Sequence, residues 1–279
     1  MRSVATGAPP DVLVERLPKR TPAQHVSRYL GTIYAIAVVE LHHIRRQPSV
    51  LLVRTVQPLL WLLVFGAAVS GVRGLGPAGT DYQAFLVPGV IAQSVLFVAI
   101  FSGLAVIWER DLGITQRTLV APAPRSAIVL GKAIGAGLRA LGQVALVMAV
   151  VGATSIPLAW SVVGVIGALF VTVLGAMLFS CVSMVIASLV SSREHFMGFG
   201  QLITLPLFFA SSALYPISLM PPWLGAVAQF NPLTYEVDLL RRLLLDLGPE
   251  RLGVDLAVLA TTTAVAVVVA SWAYPRRVM

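Results

Sequence analysis

Charge is scarce in this chain. Of 279 residues only 11% are Asp, Glu, Lys or Arg, against about 25% in a soluble domain, and too few remain to keep an ordinary globular surface wet. Disorder is excluded as well, because it requires low hydrophobicity and high charge, whereas 57% of this chain is hydrophobic and its mean hydropathy is +0.87. Cysteine is almost absent: the single Cys181 lies inside an apolar run and permits neither a disulfide framework nor a multi-cysteine metal site. Acids are the minority sign, 12 against 20 Lys and Arg, for a net charge of +8. A nucleic-acid binder would concentrate that excess on a soluble face; here the basic residues are scattered between long apolar stretches, so nucleic acid is not the partner. The class that remains is a polytopic membrane protein, with membrane lipid as its surroundings.

Catalytic and cofactor motifs are missing too. A phosphate-binding loop needs Gly-x-x-x-x-Gly-Lys-Ser/Thr, but the only Gly-Lys pair, Gly131-Lys132, has Ser126 at the first glycine position and Ala133 at the hydroxyl position. The chain therefore carries no ATP site of that type. Gly74-x-Gly76-x-x-Gly79 matches the dinucleotide fingerprint in letters only; it follows an apolar span, holds Pro77, and lacks the strand-to-helix context that gives the motif meaning. It reads as a flexible turn. There is no His-Glu-x-x-His and no Gly-x-Ser-x-Gly. His25, His42, His43 and His195 form no i, i+4 pair, and His42 and His43 face different sides of a helix. No metal, cofactor or catalytic residue is assigned to this chain.

What is present is a set of apolar runs counted off by the charges. Ala84 to Ile107 offers 24 uncharged residues, enough to cross a hydrocarbon core of about 30 Å at about 1.5 Å per residue. Between Arg139 and Arg193 lie 53 more, which read as two spans joined by a hairpin at Thr154, Ser155 and Pro157. Phe196 to Tyr235 is 40 residues long, but Pro206, Pro216, Pro221, Pro222 and Pro232 break it. This stretch predicts one span to about Tyr215, followed by a broken segment that need not cross. Thr55 to Val72 and Leu256 to Pro275 supply the remaining spans. The expected fold is all-α and polytopic, with six transmembrane helices. Residues 1–50 form a cytoplasmic tail and 51–279 the transmembrane domain.

The first 28 residues mix Pro, Arg, Lys and acids without a signal-peptide core. Tyr29 to Val39, followed by Glu40, His42, His43, Arg45 and Arg46, suits an interfacial amphipathic helix before the first span. With both termini in the cytoplasm, 14 of the 20 basic residues fall inside and four outside: Arg73, Arg241, Arg242 and Arg251. The positive-inside rule favours this orientation, in the inner (plasma) membrane of the cell. Only Arg54 and Arg139 lie within spans, both near a cytoplasmic end where a long side chain can snorkel to water. With no acid inside a span, an ion-coupled transporter has no evident coupling site, and any energy for pumping must come from elsewhere.

Two segments interrupt the pattern. The first runs from Trp108-Glu109-Arg110-Asp111-Leu112-Gly113 through Arg117, Leu119 and Pro122 to Lys132. It suggests a short amphipathic helix under the membrane, read either as a solvated loop or as a docking element for a cytoplasmic partner. The second contains Tyr215-Pro216, Pro221-Pro222-Trp223 and Asn231-Pro232-Leu233-Thr234-Tyr235-Glu236, and continues to Asp238, Arg241 and Arg242. Backbone broken at membrane depth must be shielded by protein or line a cavity, so a short re-entrant helix is the economical solution. Asn231 or Thr234 would cap the next helix, and Glu236 in its first turn would suit the dipole. Leu239, Leu240, Leu243 and Leu244 would then form an apolar stripe on the outer surface, with Trp223 and Tyr235 as interfacial aromatics.

Taken together, Glu109-Arg110-Asp111-x-Gly113, Leu119-x-Ala121-Pro122, Gly131-Lys132 and Asn231-Pro232-Leu233-Thr234-Tyr235 with Asp238 and Arg241 resemble the membrane subunit of type-2 ABC exporters. The resemblance runs from about residue 28 to near the end. It implies ATP-driven export, with ATP and Mg bound by two copies of a separate cytoplasmic ATPase subunit and a second permease subunit completing a dimer, as a homodimer. It also implies that Glu109, Arg110, Asp111, Gly113, Arg117 and Leu119 couple to the ATPase. Pro216, Pro221, Trp223, Asn231, Pro232, Tyr235, Asp238 and Arg241 would belong to short outer helices between spans five and six. The chain departs from the family in reading Gly113-Ile114-Thr115-Gln116 where Gly-Thr-Leu-Glu is frequent, so an acidic contact at Gln116 does not carry over. A charge-poor path suits a drug, a lipid or a glycolipid. Polysaccharide or glycoconjugate export, a non-transporting scaffold and an intramembrane enzyme are the competing readings; the last needs a polar cluster at membrane depth that the sequence does not offer.

Overall fold

A computed structural model describes residues 22–46, 48–71, 80–112, 124–154, 156–190, 192–247 and 251–273. Helix α1 is Pro22–Arg46 and α2 is Pro48–Leu60. The same rod continues through a π-helical turn, Trp61–Phe65, into α3, Gly66–Val69. Pro58 inside α2 cannot donate its backbone hydrogen bond, and the π turn directly after it is a local response of the kind such interruptions produce. Then come α4 (Tyr82–Asp111), α5 (Arg125–Ala153), α6 (Val162–Leu189), α7 (Arg193–Phe209), α8 (Pro222–Phe230), α9 (Pro232–Leu245) and α10 (Leu252–Ala273). The described residues contain no strand.

Among them, five helical stretches are long and apolar enough to cross a membrane: Ser49–Val69, Tyr82–Asp111, Arg125–Ala153, Val162–Leu189 and Leu252–Ala273. The protein is thus an all-helical, multi-pass membrane protein. The expected fifth of six spans, to about Tyr215, is instead α7, which has 17 residues and stops at Phe209. At about 1.5 Å per residue it is roughly 26 Å long, at the short limit for a crossing helix. Pro206 sits inside its last turn, and the chain leaves the helix through Ala210 to Tyr215.

Helices α4 and α6 form the centre and touch through small residues. Ser102 and Ser180 hydroxyls lie 2.7 Å apart, Ser183 donates to the Ile100 carbonyl, and a Cβ on Gly103 would collide with Ser183. Small residues let backbones approach in lipid, where hydrophobicity drives no helix association. Phe85, Leu86, Ile91, Leu96, Phe179 and Phe208 fill the core around this seam. The N-terminal amphipathic helix is longer than Tyr29 to Val39, because nothing between Pro22 and Arg46 breaks it. It lies against the first half of α5, where Ile36 covers Gly131 and Glu40 covers Gly135, a small-xxx-small pair.

Candidate functional site

The residues singled out in the sequence gather at opposite ends of the bundle. Glu109, Arg110 and Asp111 do not begin a separate helix. They are the last turn of α4, because Val106 to Leu112 contains neither Gly nor Pro and the helix runs on past the hydrophobic run. Both Glu109 carboxylate oxygens accept from Lys132 Nζ of α5 at 2.6 Å. Arg193, at the start of α7, donates to Asp111 Oδ2 through Nε at 3.0 Å and lies 3.8 Å above the Trp108 ring. Arg110 Nη1 donates to the Val190 carbonyl beyond α6 at 3.1 Å and comes within 3.8 Å of Asp111. One helical turn is thereby tied to α5, α6 and α7. A fourth tie joins α1 to α5 through Glu40 and Arg139. These side chains stay partly exposed, and Leu112 beside them is 66% exposed. Gly113, Arg117 and Leu119 lie outside the described residues, as do Gln116 and the Gly74 to Gly79 turn; the side chains of His25 and His43 do too.

At the opposite end, α8 and α9 form a helical hairpin whose tip is Asn231. Pro216 precedes a 3-10 turn, Ile217–Leu219, while Pro221 precedes α8 and Pro232 opens α9, so each proline sits where its missing N–H costs nothing. Asn231 caps α9 by accepting from Leu233 N at 3.0 Å. Its Nδ2 meanwhile donates to the carbonyls of Leu207 and Ala210, at 2.6 and 2.8 Å. Those carbonyls are orphans of the α7 terminus, so the hairpin tip finishes the short helix. Tyr235 donates to the Gln229 carbonyl at 2.6 Å and closes the hairpin on itself. Trp223 is 69% exposed, facing outward as an interfacial aromatic would.

The hairpin is held by buried polar contacts. Arg241 is 5% exposed. Its guanidinium donates to the Ser212 carbonyl, reaches Asp238 Oδ1 at 3.5 Å and lies 3.8 Å above the Phe85 ring. Ser212 donates to Asp238 at 2.9 Å, and Tyr82 of α4 donates to the Leu214 carbonyl at 3.0 Å. The backbone of Ala213 passes directly over Gly89, where any Cβ would collide with it. Broken backbone is thus sheltered by protein, as its depth requires.

Two expectations for α9 need correction. Leu239, Leu240 and Leu244 are buried at 2% exposure or less and pack into the core, with Leu243 covering Gly164 and Gly167 of α6; they do not form an outer-surface stripe. Glu236 is fully buried, its carboxyl lodged against Gly175 in the middle of α6, with no hydrogen-bond partner among the described residues. An amphipathic stripe reads alike whether it covers protein or faces outward, which is why periodicity could not place it. Sequence reasoning named Lys132 and Glu40 without pairing them with Glu109 and Arg139, and it gave Arg193, Ser212 and Tyr82 no role in the site. A lone Lys early in an apolar helix was the available signal for the pairing of Lys132, since such a charge seeks a partner. Among the described residues no group of three or more His, Cys, Asp or Glu could hold a metal ion.

Comparison with known proteins follows this geometry. Residues 32–245 match the family model described as "ABC-2 type transporter". The chain is 33% identical over 198 residues to a protein named as a transport permease, ycf38, of Pyropia yezoensis, covering 69% of this chain and 67% of that one. It is 30% identical over 223 residues to Nodulation protein J of Rhizobium leguminosarum bv. trifolii, covering 77% and 82%. Both ends of the bundle fall inside the matched region, Glu109 to Asp111 and the α8–α9 hairpin alike.

Proposed function

This chain belongs to the ABC-2 type transporter family, and we propose that it is the permease subunit of an ATP-driven exporter moving a hydrophobic or amphipathic cargo, a drug, lipid or glycolipid, out of the cytoplasm. The observation that carries this reading is the ion-paired end of α4. A push on Glu109 to Asp111 reaches α5 through Lys132, α6 through Val190 and α7 through Arg193. A chain with no phosphate-binding loop of its own needs such an input, and two ATPase subunits carrying ATP and Mg would supply it. Closure of the ATPase pair would move this end while the buried helix α9 kept the other end rigid. Two permease copies, as a homodimer, would enclose the path. Residues 1–50 form the cytoplasmic tail, 51–279 the transmembrane domain, and both termini face the cytoplasm of the inner membrane, as the positive-inside count favours.

The test is co-purification of the tagged chain with its ATPase subunit, followed by reconstitution in vesicles and assay of hydrolysis against a panel of drugs, lipids and glycolipids. The expected result is a stable complex whose hydrolysis rises with at least one cargo and falls back when Glu109 and Asp111 are both replaced by their amides. A chain that co-purifies with no ATPase in detergent or nanodiscs would be a scaffold.

A further inference from the structure

A cavity of about 230 Å³ lies between α2, α4 and α5, lined by Val53, Arg54, Pro58, Phe97, Phe101 and Gln143 among others. Its walls are mostly apolar, and Arg54, Gln57 and Gln143 are the polar residues that line it. The Arg54 guanidinium lies 5.4 Å from the Phe101 ring centroid, and no carboxylate pairs with it among the described residues. Gln143 is 2% exposed and donates through Nε2 to the Arg54 carbonyl at 3.3 Å. That leaves its Oε1 buried and without a donor. That oxygen has almost no accessible surface and does not open into the cavity, so the exposed Arg54 charge is what the cavity offers a ligand.

We infer that this cavity binds the headgroup of an anionic phospholipid, its phosphate on Arg54. The volume is below the roughly 300–1,000 Å³ of sites that enclose a whole drug-sized ligand, and suits a headgroup whose acyl chains stay outside. Val53 and Phe101, at 71% and 38% exposure, form the rim over which those chains would pass. Arg54 is the sixth residue of the stretch Ser49–Val69, so it stands about 8 Å inside one end of a span, near headgroup level. Guanidinium recognises phosphate through paired, charge-assisted hydrogen bonds that an ammonium cannot reproduce. The site depends neither on which end of the bundle faces the cytoplasm nor on the exported cargo.

The test uses the full chain in phosphatidylcholine nanodiscs doped with phosphatidylglycerol or phosphatidylmethanol of matched acyl chains, with retained lipid counted by native mass spectrometry after detergent extraction. The wild type retains phosphatidylglycerol over phosphatidylcholine by about tenfold. Phosphatidylmethanol, which keeps the phosphate and lacks the hydroxyl, is retained as well as phosphatidylglycerol. Arg54→Gln removes the preference for the anionic lipids, and Arg54→Lys keeps part of it. Added inorganic phosphate leaves the bound lipid in place, because a free ion gains nothing from the apolar walls. Equal retention of phosphatidylglycerol and phosphatidylcholine by the wild type overturns the inference even if Arg54→Gln does not fold. An undiminished preference in Arg54→Gln also overturns it, and displacement by inorganic phosphate would show a plain anion site instead.

Discussion

The two ends of the bundle are both held by charged residues, yet they are built on opposite principles. At the α4 terminus the pairs Glu109–Lys132 and Asp111–Arg193 are side chain to side chain and partly exposed. At the α8–α9 hairpin, Arg241 and Asn231 are almost fully buried and spend their donors chiefly on backbone carbonyls of the Leu207 to Ala213 stretch. Exposed pairs contribute little to stability, with a median of about 0–1 kcal/mol, and can be exchanged for other partners. Buried charges bonded to backbone cannot be exchanged without leaving costly orphans. One end can therefore accept a protein partner, and the other serves as a fixed anchor.

The sharpest way to break this contrast is Arg241→Ala, expected to cost about 3–5 kcal/mol by stranding Asp238 and the Ser212 and Ala213 carbonyls in the interior. Thermal unfolding of the detergent-purified protein, followed by loss of monodisperse elution, would read it. Asn231→Ala comes next, at about 2–3 kcal/mol, since it removes the α9 cap and two donors to the α7 terminus together. Limited proteolysis between Ala210 and Tyr215 should become faster in that variant.

Gly175→Ala is expected to cost about 1–3 kcal/mol by forcing a methyl into the Glu236 carboxyl. Adding Glu236→Ala should restore most of the loss, whereas rescue by Glu236→Gln, which keeps the volume, should be poor. At the other end, Lys132→Gln should shift stability by less than about 1 kcal/mol while lowering cargo-stimulated hydrolysis. The swap Glu109→Lys with Lys132→Glu should keep the helix contact and lose the coupling. An equal stability loss at the two ends would erase the contrast.

Much of this was legible in the sequence, for a physical reason. In lipid a charge is expensive, so the gaps between charges map most of the spans: α4, α6 and α10 fall where the runs lie, whereas α5 begins at Arg125, ahead of its run, and carries Lys132 and Arg139 inside it. The prolines and Asn231 likewise announced broken helices. What stayed hidden depended on contacts distant in the chain. The stop of α7 at Phe209 is completed by Asn231, 22 residues later, and no local pattern encodes that. Glu236 looked like a first-turn acid serving the α9 dipole, but its neighbour is Gly175 on another helix. The pairing of Glu109 with Lys132 required knowing that α4 continues past the membrane run to Asp111 instead of ending at Ile107.

The most direct measurement replaces Cys181, which is fully buried, with Ala, and places a single cysteine at either end of the bundle. Leu112 and Trp223 are matched for this purpose, at 66% and 69% exposure. Each variant is assembled with the ATPase subunit and treated with a short bifunctional cross-linker. Leu112→Cys should cross-link to the ATPase and Trp223→Cys should not; a cross-link from Trp223→Cys, or none from Leu112→Cys in an intact complex, would contradict the docking of the partner at the α4 terminus.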